Sequence, residues 1–152
     1  LVDIQHRDGR LLSGGQQRRA SLAIGAAMNP SIILLDEPTA NLDIATKKHM
    51  VHMLNKLRKH VKMVIVATHD MQLVSEWANR VIVMNQGQIM CDGDKHIVFG
   101  NDVLMEQAGL VPPQILQLSQ ALKTRVPCHT VEEFITIWSE EGANLEQSIE
   151  YA

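Results

Sequence analysis

The chain has 152 residues, 45% of them hydrophobic and 20% charged, with a mean hydropathy of -0.05; this excludes disordered, collagen-like and coiled-coil classes and fits about one globular domain. Fourteen Lys and Arg against 17 Asp and Glu leave a net charge of -3, so the basic footprint of a nucleic-acid binder is missing, and 3% aromatic residues offer no base-stacking platform. Apolar runs such as Met63 to Ala67 fall far short of the roughly 20 residues that span a bilayer. Any membrane role therefore goes through a partner. Leu1 rather than Met opens the sequence and no signal-like segment follows, which leads us to expect a cut rather than a natural start.

In chain order, Ser13 to Met28 is helix-compatible, with Leu22, Ala23, Ala26 and Ala27 on one face and Asn29-Pro30 as the stop. Ile32 to Leu35 form an unbroken apolar run that ends in Asp36-Glu37-Pro38, the pattern of a parallel strand buried on both faces. Asp43 is placed to cap a helix with Ile44, Val51, Leu54 and Leu57 inward. A second buried strand is predicted over Met63 to Ala67. A strand, helix, strand order implies a parallel pair with a right-handed crossover, so Asp36 and His69 should emerge on one sheet edge, where ligands bind in such folds. A short helix is expected from Met71 to Trp77, then a hairpin over Arg80 to Cys91 turning at Asn85-Gln86-Gly87. Beyond it, Ile115, Leu118 and Leu122 are spaced for one helix, and Phe134, Ile135 and Trp138 for another. Residues 1–111 carry 12 basic and 11 acidic groups, and 112–152 carry 2 and 6; this shift marks a compositional boundary near Pro112-Pro113.

Leu12-Ser13-Gly14-Gly15-Gln16 is the most informative segment. A serine that caps a helix, followed by two glycines that let backbone N–H groups approach an anion, aims the positive end of a helix dipole at phosphate oxygens. By itself the segment also fits a plain turn and N-cap. Four apolar residues ending in Asp36-Glu37 match the Walker B pattern: a first carboxylate for Mg²⁺ and a second able to accept a proton from water. By itself it also fits an acidic strand exit. Thr39-Ala40-Asn41-Leu42-Asp43 follows directly, and Ala67-Thr68-His69-Asp70 closes the second strand.

Taken in order, LSGGQ, ILLDEP, the Asn41-Leu42-Asp43 loop and the Thr68-His69-Asp70 loop resemble the C-terminal half of an ATP-binding cassette (ABC) nucleotide-binding domain. That resemblance implies an α/β fold, part of a P-loop NTPase domain lacking its Walker A half, with parallel strands, a β-hairpin and a C-terminal helical extension. It divides the chain into residues 1–94, the domain's C-terminal part, and 95–152, the extension. It casts Ser13, Gly14, Gly15 and Gln16 as the signature loop, Asp36 as the Mg²⁺ carboxylate acting directly or through water, Glu37 as the general base, Asn41, Leu42 and Asp43 as the dimer-contacting D-loop, and His69 as the switch histidine. ATP and Mg²⁺ are the implied cofactors. A second ATPase subunit, bound head to tail, is the implied partner, together with an integral membrane subunit; nucleic acid is not. The place implied is the cytoplasmic face of the cell membrane, in keeping with the unpaired pattern of Cys91 and Cys128.

Walker A needs Gly-x-x-x-x-Gly-Lys-Ser/Thr, and none of the nine glycines precedes a lysine. Val98-Phe99, Leu104-Met105, Ala108-Gly109-Leu110, Pro112-Pro113 and Thr130-Val131-Glu132-Glu133 resemble the tail of ATPase subunits of energy-coupling factor (ECF) importers for vitamins, cobalt or nickel. Two other classes stay open at this level: a soluble ABC ATPase of translation or DNA repair, and a non-catalytic interaction fragment. His49 and His52, and the cluster Lys56, Arg58, Lys59 and Lys62, read as solvated faces of one amphipathic helix. Gly15→Asp is expected to spare monomer folding, with Gly15 taken as part of a surface loop.

Overall fold

The computed structural model describes residues 5, 6 and 8–150, the last ten as helix backbone; the expected cut at Leu1 lies outside them. The chain packs as two compact units, Leu1–Asp70 and Met71–Ala152. In the second unit the hairpin shares a core with the helices that follow it.

In the first unit a 3₁₀ turn (Gly9–Leu11) leads into α1 (Gly14–Ala27), β1 (Ile32–Asp36), α2 (Ile44–Leu57) and β2 (Met63–Ala67). Helix α1 starts at a full capping box: the Gln16 N–H donates to Ser13 Oγ, and the Ser13 N–H donates to Gln16 Oε1 at 2.9 Å. It stops where Asn29 turns left-handed (φ 49°) ahead of Pro30, a conformation that asparagine tolerates better than most residues. On α1 only Leu22 is buried, and Ala27 is exposed rather than inward. On α2 the buried stripe is Met50, Leu54 and Leu57, at i, i+4 and i+7; Ile44, at the first position after the Asp43 cap, is exposed.

Strands β1 and β2 pair in parallel, with Ile32 opposite Met63 and Asp36 opposite Ala67. The expected parallel pair is therefore present. Burial on both faces is not, since Ile32, Leu34, Met63 and Ile65 are all about half exposed or more while Ile33 is buried. In this unit α1 and α2 pack against each other and no helix pairs closely with the opposite face among the described residues, so the strands alternate.

The second unit runs α3 (Met71–Trp77), β3 (Arg80–Asn85), β4 (Gln88–Asp94), α4 (Lys95–Phe99), α5 (Asp102–Ala108), α6 (Gln114–Ala121) and α7 (Val131–Glu150). Strands β3 and β4 form an antiparallel hairpin through Gln86 (φ 49°) and Gly87 (φ 76°), the double positive φ of a type I′ turn. The hairpin extends to Asp94, three residues past the predicted end, with a bulge between Val83 and Met84. Val83 shares a core with Val98, Phe99, Leu104, Met105 and Leu116. In α6 the buried positions are Leu116 and Ser119, and Leu118 and Leu122 face out, one position away from the predicted stripe. In α7 Phe134 is half-buried and stacks on Trp138 with ring centroids 5.8 Å apart, while Ile135 and Trp138 are largely exposed. Cys128 is buried and Cys91 half-buried, both as free thiols. His49, His52, Lys56, Arg58, Lys59 and Lys62 are all exposed, as expected, but α2 ends at Leu57, so Arg58 caps the helix and Lys59 and Lys62 follow it rather than lie on its face.

Candidate functional site

The parallel pairing delivers the two strand exits to one edge. There the chain leaves β1 through Glu37, a non-glycine residue in the left-handed region (φ 43°), a conformation that concentrates at functional sites and persists only where its surroundings over-determine it. They do so here. The Glu37 N–H donates to the Ala67 carbonyl at 2.8 Å and its own carbonyl accepts from the Ala40 N–H at 3.2 Å. The same carbonyl takes the Arg18 guanidinium from α1.

The Glu37 side chain is held as firmly. Thr68 Oγ1 donates to Oε2 at 2.9 Å; the His69 N–H donates to Oε1 at 2.9 Å, and His69 Nδ1 sits 2.6 Å from the same oxygen. Because a carboxylate only accepts, that imidazole nitrogen carries the proton. Burial works to raise the Glu37 pKa, yet the bonds from the His69 ring, the Thr68 hydroxyl and the His69 N–H outweigh it and hold the carboxyl below its ordinary range. Glu37 is thus ionised at neutral pH. The His69 ring is mostly in solvent, free to meet a ligand on its outer side.

Asp36, the last residue of β1, is exposed, and among the described residues no hydrogen bond or ion pair engages its carboxylate. No group of three or more His, Cys, Asp or Glu among the described residues could hold a metal ion. A single carboxylate suits Mg²⁺ nonetheless, which keeps several waters and takes the rest of its shell from phosphate oxygens. Helix α1, the end of β1 and the loop after it enclose an open groove of about 690 Å³, lined by Gly14, Arg18, Asp36, Asn41 and Leu42 among others.

The glycines of the N-terminus of α1 differ. A Cβ on Gly14 would meet open space, whereas one on Gly15 would lie 3.0 Å from Thr46 Cγ2 and 3.7 Å from Leu42 Cδ2. A side chain at Gly15 would therefore need Thr46 to give by a few tenths of an ångström, a strain that the sequence reading of Gly15 as a surface position did not include. Asp43 caps α2, with the Thr46 N–H at 2.9 Å and the Thr46 hydroxyl at 2.6 Å; these bonds, the hydroxyl's first, lower its pKa. Asn41 holds a left-handed φ of 56°. Glu37 and His69 are thus brought into contact and Gly15 against Leu42, but no hydrogen bond among the described residues joins Ser13, Gly14, Gly15 or Gln16 to Glu37 or His69.

Sequence reasoning named Thr39, Thr68 and Asp70 only as members of motif loops, and it gave no role to them, to Arg18 or to Lys47. Buried Thr39 donates to Asp70 Oδ2 at 2.9 Å, and Lys47 Nζ on α2 pairs with the same oxygen at 2.8 Å. Thr68 and Asp70 flank His69, so their position was a signal; nothing in the spacing of Lys47 announced its partner.

The ABC transporter family model matches residues 2–40. The energy-coupling factor transporter ATP-binding protein EcfA2 of Methanospirillum hungatei is 40% identical over 125 residues, 82% of this chain and 31% of that protein. Its namesake from Acetivibrio thermocellus is 41% identical over 126 residues, 82% of this chain and 45% of that protein. The cobalt import ATP-binding protein CbiO of Rhodobacter capsulatus is 36% identical over 119 residues, 78% and 42% respectively. The structure of cbiO1 from Clostridium perfringens, described as part of the ABC transporter complex cbiONQ, superposes with a TM-score of 0.57 at 26% identity, over 77% of this chain and 46% of that one. The chain thus spans from under a third to under half of the length of these relatives. It resembles ABC transporter ATP-binding subunits of the ECF and cobalt-import type, and its fold is α/β, as their likeness to a P-loop NTPase requires.

Proposed function

We propose that this chain is the C-terminal part of an ATP-hydrolysing subunit that energises a membrane importer of the ECF type, taking up a vitamin or a transition metal. Residues 1–94 then belong to the nucleotide-binding domain and 95–152 to the helical extension. The observation that carries this reading is the convergence of Asp36, Glu37 and His69 on one edge of a parallel strand pair, with Glu37 ionised and fixed by three donated bonds.

In this reading Glu37 accepts the proton of the water that attacks the terminal phosphate, and the exposed His69 ring meets that phosphate. Asp36 would hold Mg²⁺, directly or through water; the ion, when bound, neutralises charge on the phosphate oxygens. Ser13, the amides of Gly14 and Gly15, and Gln16 would bind the nucleotide presented by a partner subunit. Asn41, Leu42 and Asp43 would line that dimer contact. Among the described residues no helix is long and apolar enough to cross a membrane, so attachment at the cytoplasmic face would go through an integral membrane subunit.

The test uses a longer polypeptide that supplies a Walker A half ahead of Leu1. Glu37→Gln keeps the shape of the side chain but cannot take the proton, so ATP binding should persist while turnover falls by about 10²- to 10⁴-fold, the usual worth of a general base. Turnover within a few fold of the parent would remove Glu37 from this role. A second reading, a segment that binds partners without catalysis, is favoured by one observation: the 152 residues contain no Gly-Lys pair from which to build a phosphate cradle.

A further inference from the structure

We infer that Thr68 and Asp70 are positioning residues for Glu37, forming a clasp that fixes which carboxylate oxygen accepts the proton; this deepens the reading of Glu37 as the base and rests on it. Donor and acceptor types leave one hydrogen-bond assignment. The Asp70 N–H can only donate, and it reaches Thr68 Oγ1 at 3.0 Å. An ionised Glu37 can only accept, so the single Thr68 hydroxyl proton is committed to Oε2 at 2.9 Å. Each carboxylate oxygen offers two acceptor positions. Oε1 has both filled, by the His69 N–H and by Nδ1. Among the described residues Oε2 has one filled, by Thr68, and its second position is the acceptor left for a water proton.

The clasp has an anchor. Asp70 holds Thr39 from the loop that follows Glu37, at 2.9 Å, and Lys47 from α2, at 2.8 Å. The side chain of Asp70 is mostly buried, with 16% exposure, where charge-assisted bonds are strong. The exit of β1, the start of α2 and the exit of β2 are thereby tied to one carboxylate, while its neighbouring N–H sets the Thr68 hydroxyl. Neither Thr68 nor Asp70 touches the water or the phosphate in this arrangement; both act through Glu37.

Thr68→Val removes the hydroxyl at almost constant shape, and Thr68→Ser restores it. The first readout is amide hydrogen exchange in the 152-residue chain without nucleotide. In Thr68→Val the Asp70 and His69 amides should exchange about tenfold faster, the loss of one net hydrogen bond, while Ile33, Leu35, Val64 and Val66 stay as in the parent. Thr68→Ser should return both amides to parent rates. Parent-like exchange at His69 and Asp70 in Thr68→Val overturns the clasp, and so does a uniform acceleration across both strands, which marks Thr68 as merely structural. The second readout is turnover in the longer polypeptide with a Walker A half: kcat should fall about ten- to a hundredfold, the cost of a misplaced catalytic group, with KM for ATP unchanged and with rescue by serine. If Glu37→Gln turns over normally, the base reading fails while the exchange pattern still reports on the clasp. If Glu37→Gln is dead and Thr68→Val has parent kcat, the clasp alone fails.

Discussion

Ser75→Ala should destabilise the second unit by a measurable and pH-dependent amount. Ser75 on α3 is fully buried and its hydroxyl lies 2.7 Å from His129 Nδ1, itself 3% exposed. The other ring nitrogen of His129 lies 2.9 Å from His96 Nδ1, and Lys95 Nζ donates to the Ser75 carbonyl at 2.7 Å. The alanine variant leaves His129 Nδ1 buried without its partner, which costs about 1–3 kcal/mol. A unit of this size shifts its melting temperature by about 4–8 °C per kcal/mol, so the midpoint of its transition should drop by about 10 °C in differential scanning calorimetry at pH 8. The acid side adds a second signature. Burial first, then the charges of Lys95 and His96, push the His129 pKa below the ordinary 6.5, against the weaker pull of Glu133 and Asp94. A base with a lowered folded pKa keeps its stability contribution above the unfolded value and loses it as pH falls through the folded one. The parent should therefore weaken progressively below about pH 6.5, and His129→Asn, which keeps an amide for Ser75, should flatten that limb. A midpoint within 1 °C or so of the parent at pH 8 would refute the buried bond as a source of stability.

Three further outcomes follow from the first unit. The 152-residue chain alone should show no Mg²⁺-dependent ATP turnover above background in a phosphate-release assay, because the lysine and amide cradle for the β- and γ-phosphates is absent from it; robust turnover would contradict this. Gly14→Asp, where a Cβ meets open space, should leave the chain's urea midpoint unchanged, whereas Gly15→Asp should lower the midpoint through a loss of stability of about 1–3 kcal/mol from overpacking Thr46; equal midpoints would sink that distinction. In longer polypeptides with a Walker A half, heterodimers of Gly14→Asp with a Walker A-defective partner should regain hydrolysis at one site, since the intact cradle of the Gly14→Asp chain then faces the partner's intact signature loop, and a mixture as inactive as either variant alone would place that loop in cis.

The motif residues were legible because their chemistry is local. Ser13 and Gln16 are three apart, the spacing of a capping box, and Asp36-Glu37 and His69 end apolar runs whose parallel pairing follows from the helix between them. The inward faces were less legible. Ile44 and Leu118 satisfy helical spacing as well as Met50 and Leu116 do, yet only the latter are buried; periodicity gives a stripe but its phase depends on the neighbouring element. The strands show the same limit from the other side. An unbroken run such as Ile32 to Leu35 records that both faces are apolar, not that both are covered in the residues at hand, and Leu34 at 73% exposure marks the side that this unit leaves open.

Least legible of all was the support around Glu37. Glu37 adopts a left-handed φ that no residue of its type prefers, and it is kept there by Arg18, nineteen positions earlier, and by Thr68 and His69, more than thirty later. Lys47 reaches Asp70 across 23 positions of sequence. Such bonds carry no periodicity and no motif, since any exposed-looking Arg, Lys or Thr would serve until the two strand exits are set side by side. Once they are, the consequence is specific. The conformational strain at Glu37 is balanced by contacts drawn from α1, from the β2 exit and from its own loop, so a change in any one of them should move the carboxylate before it unfolds the chain. That ordering, local displacement ahead of global loss, is what separates a supported catalytic group from an acidic strand exit, and it is the property that Thr68→Val and its serine rescue put to measurement.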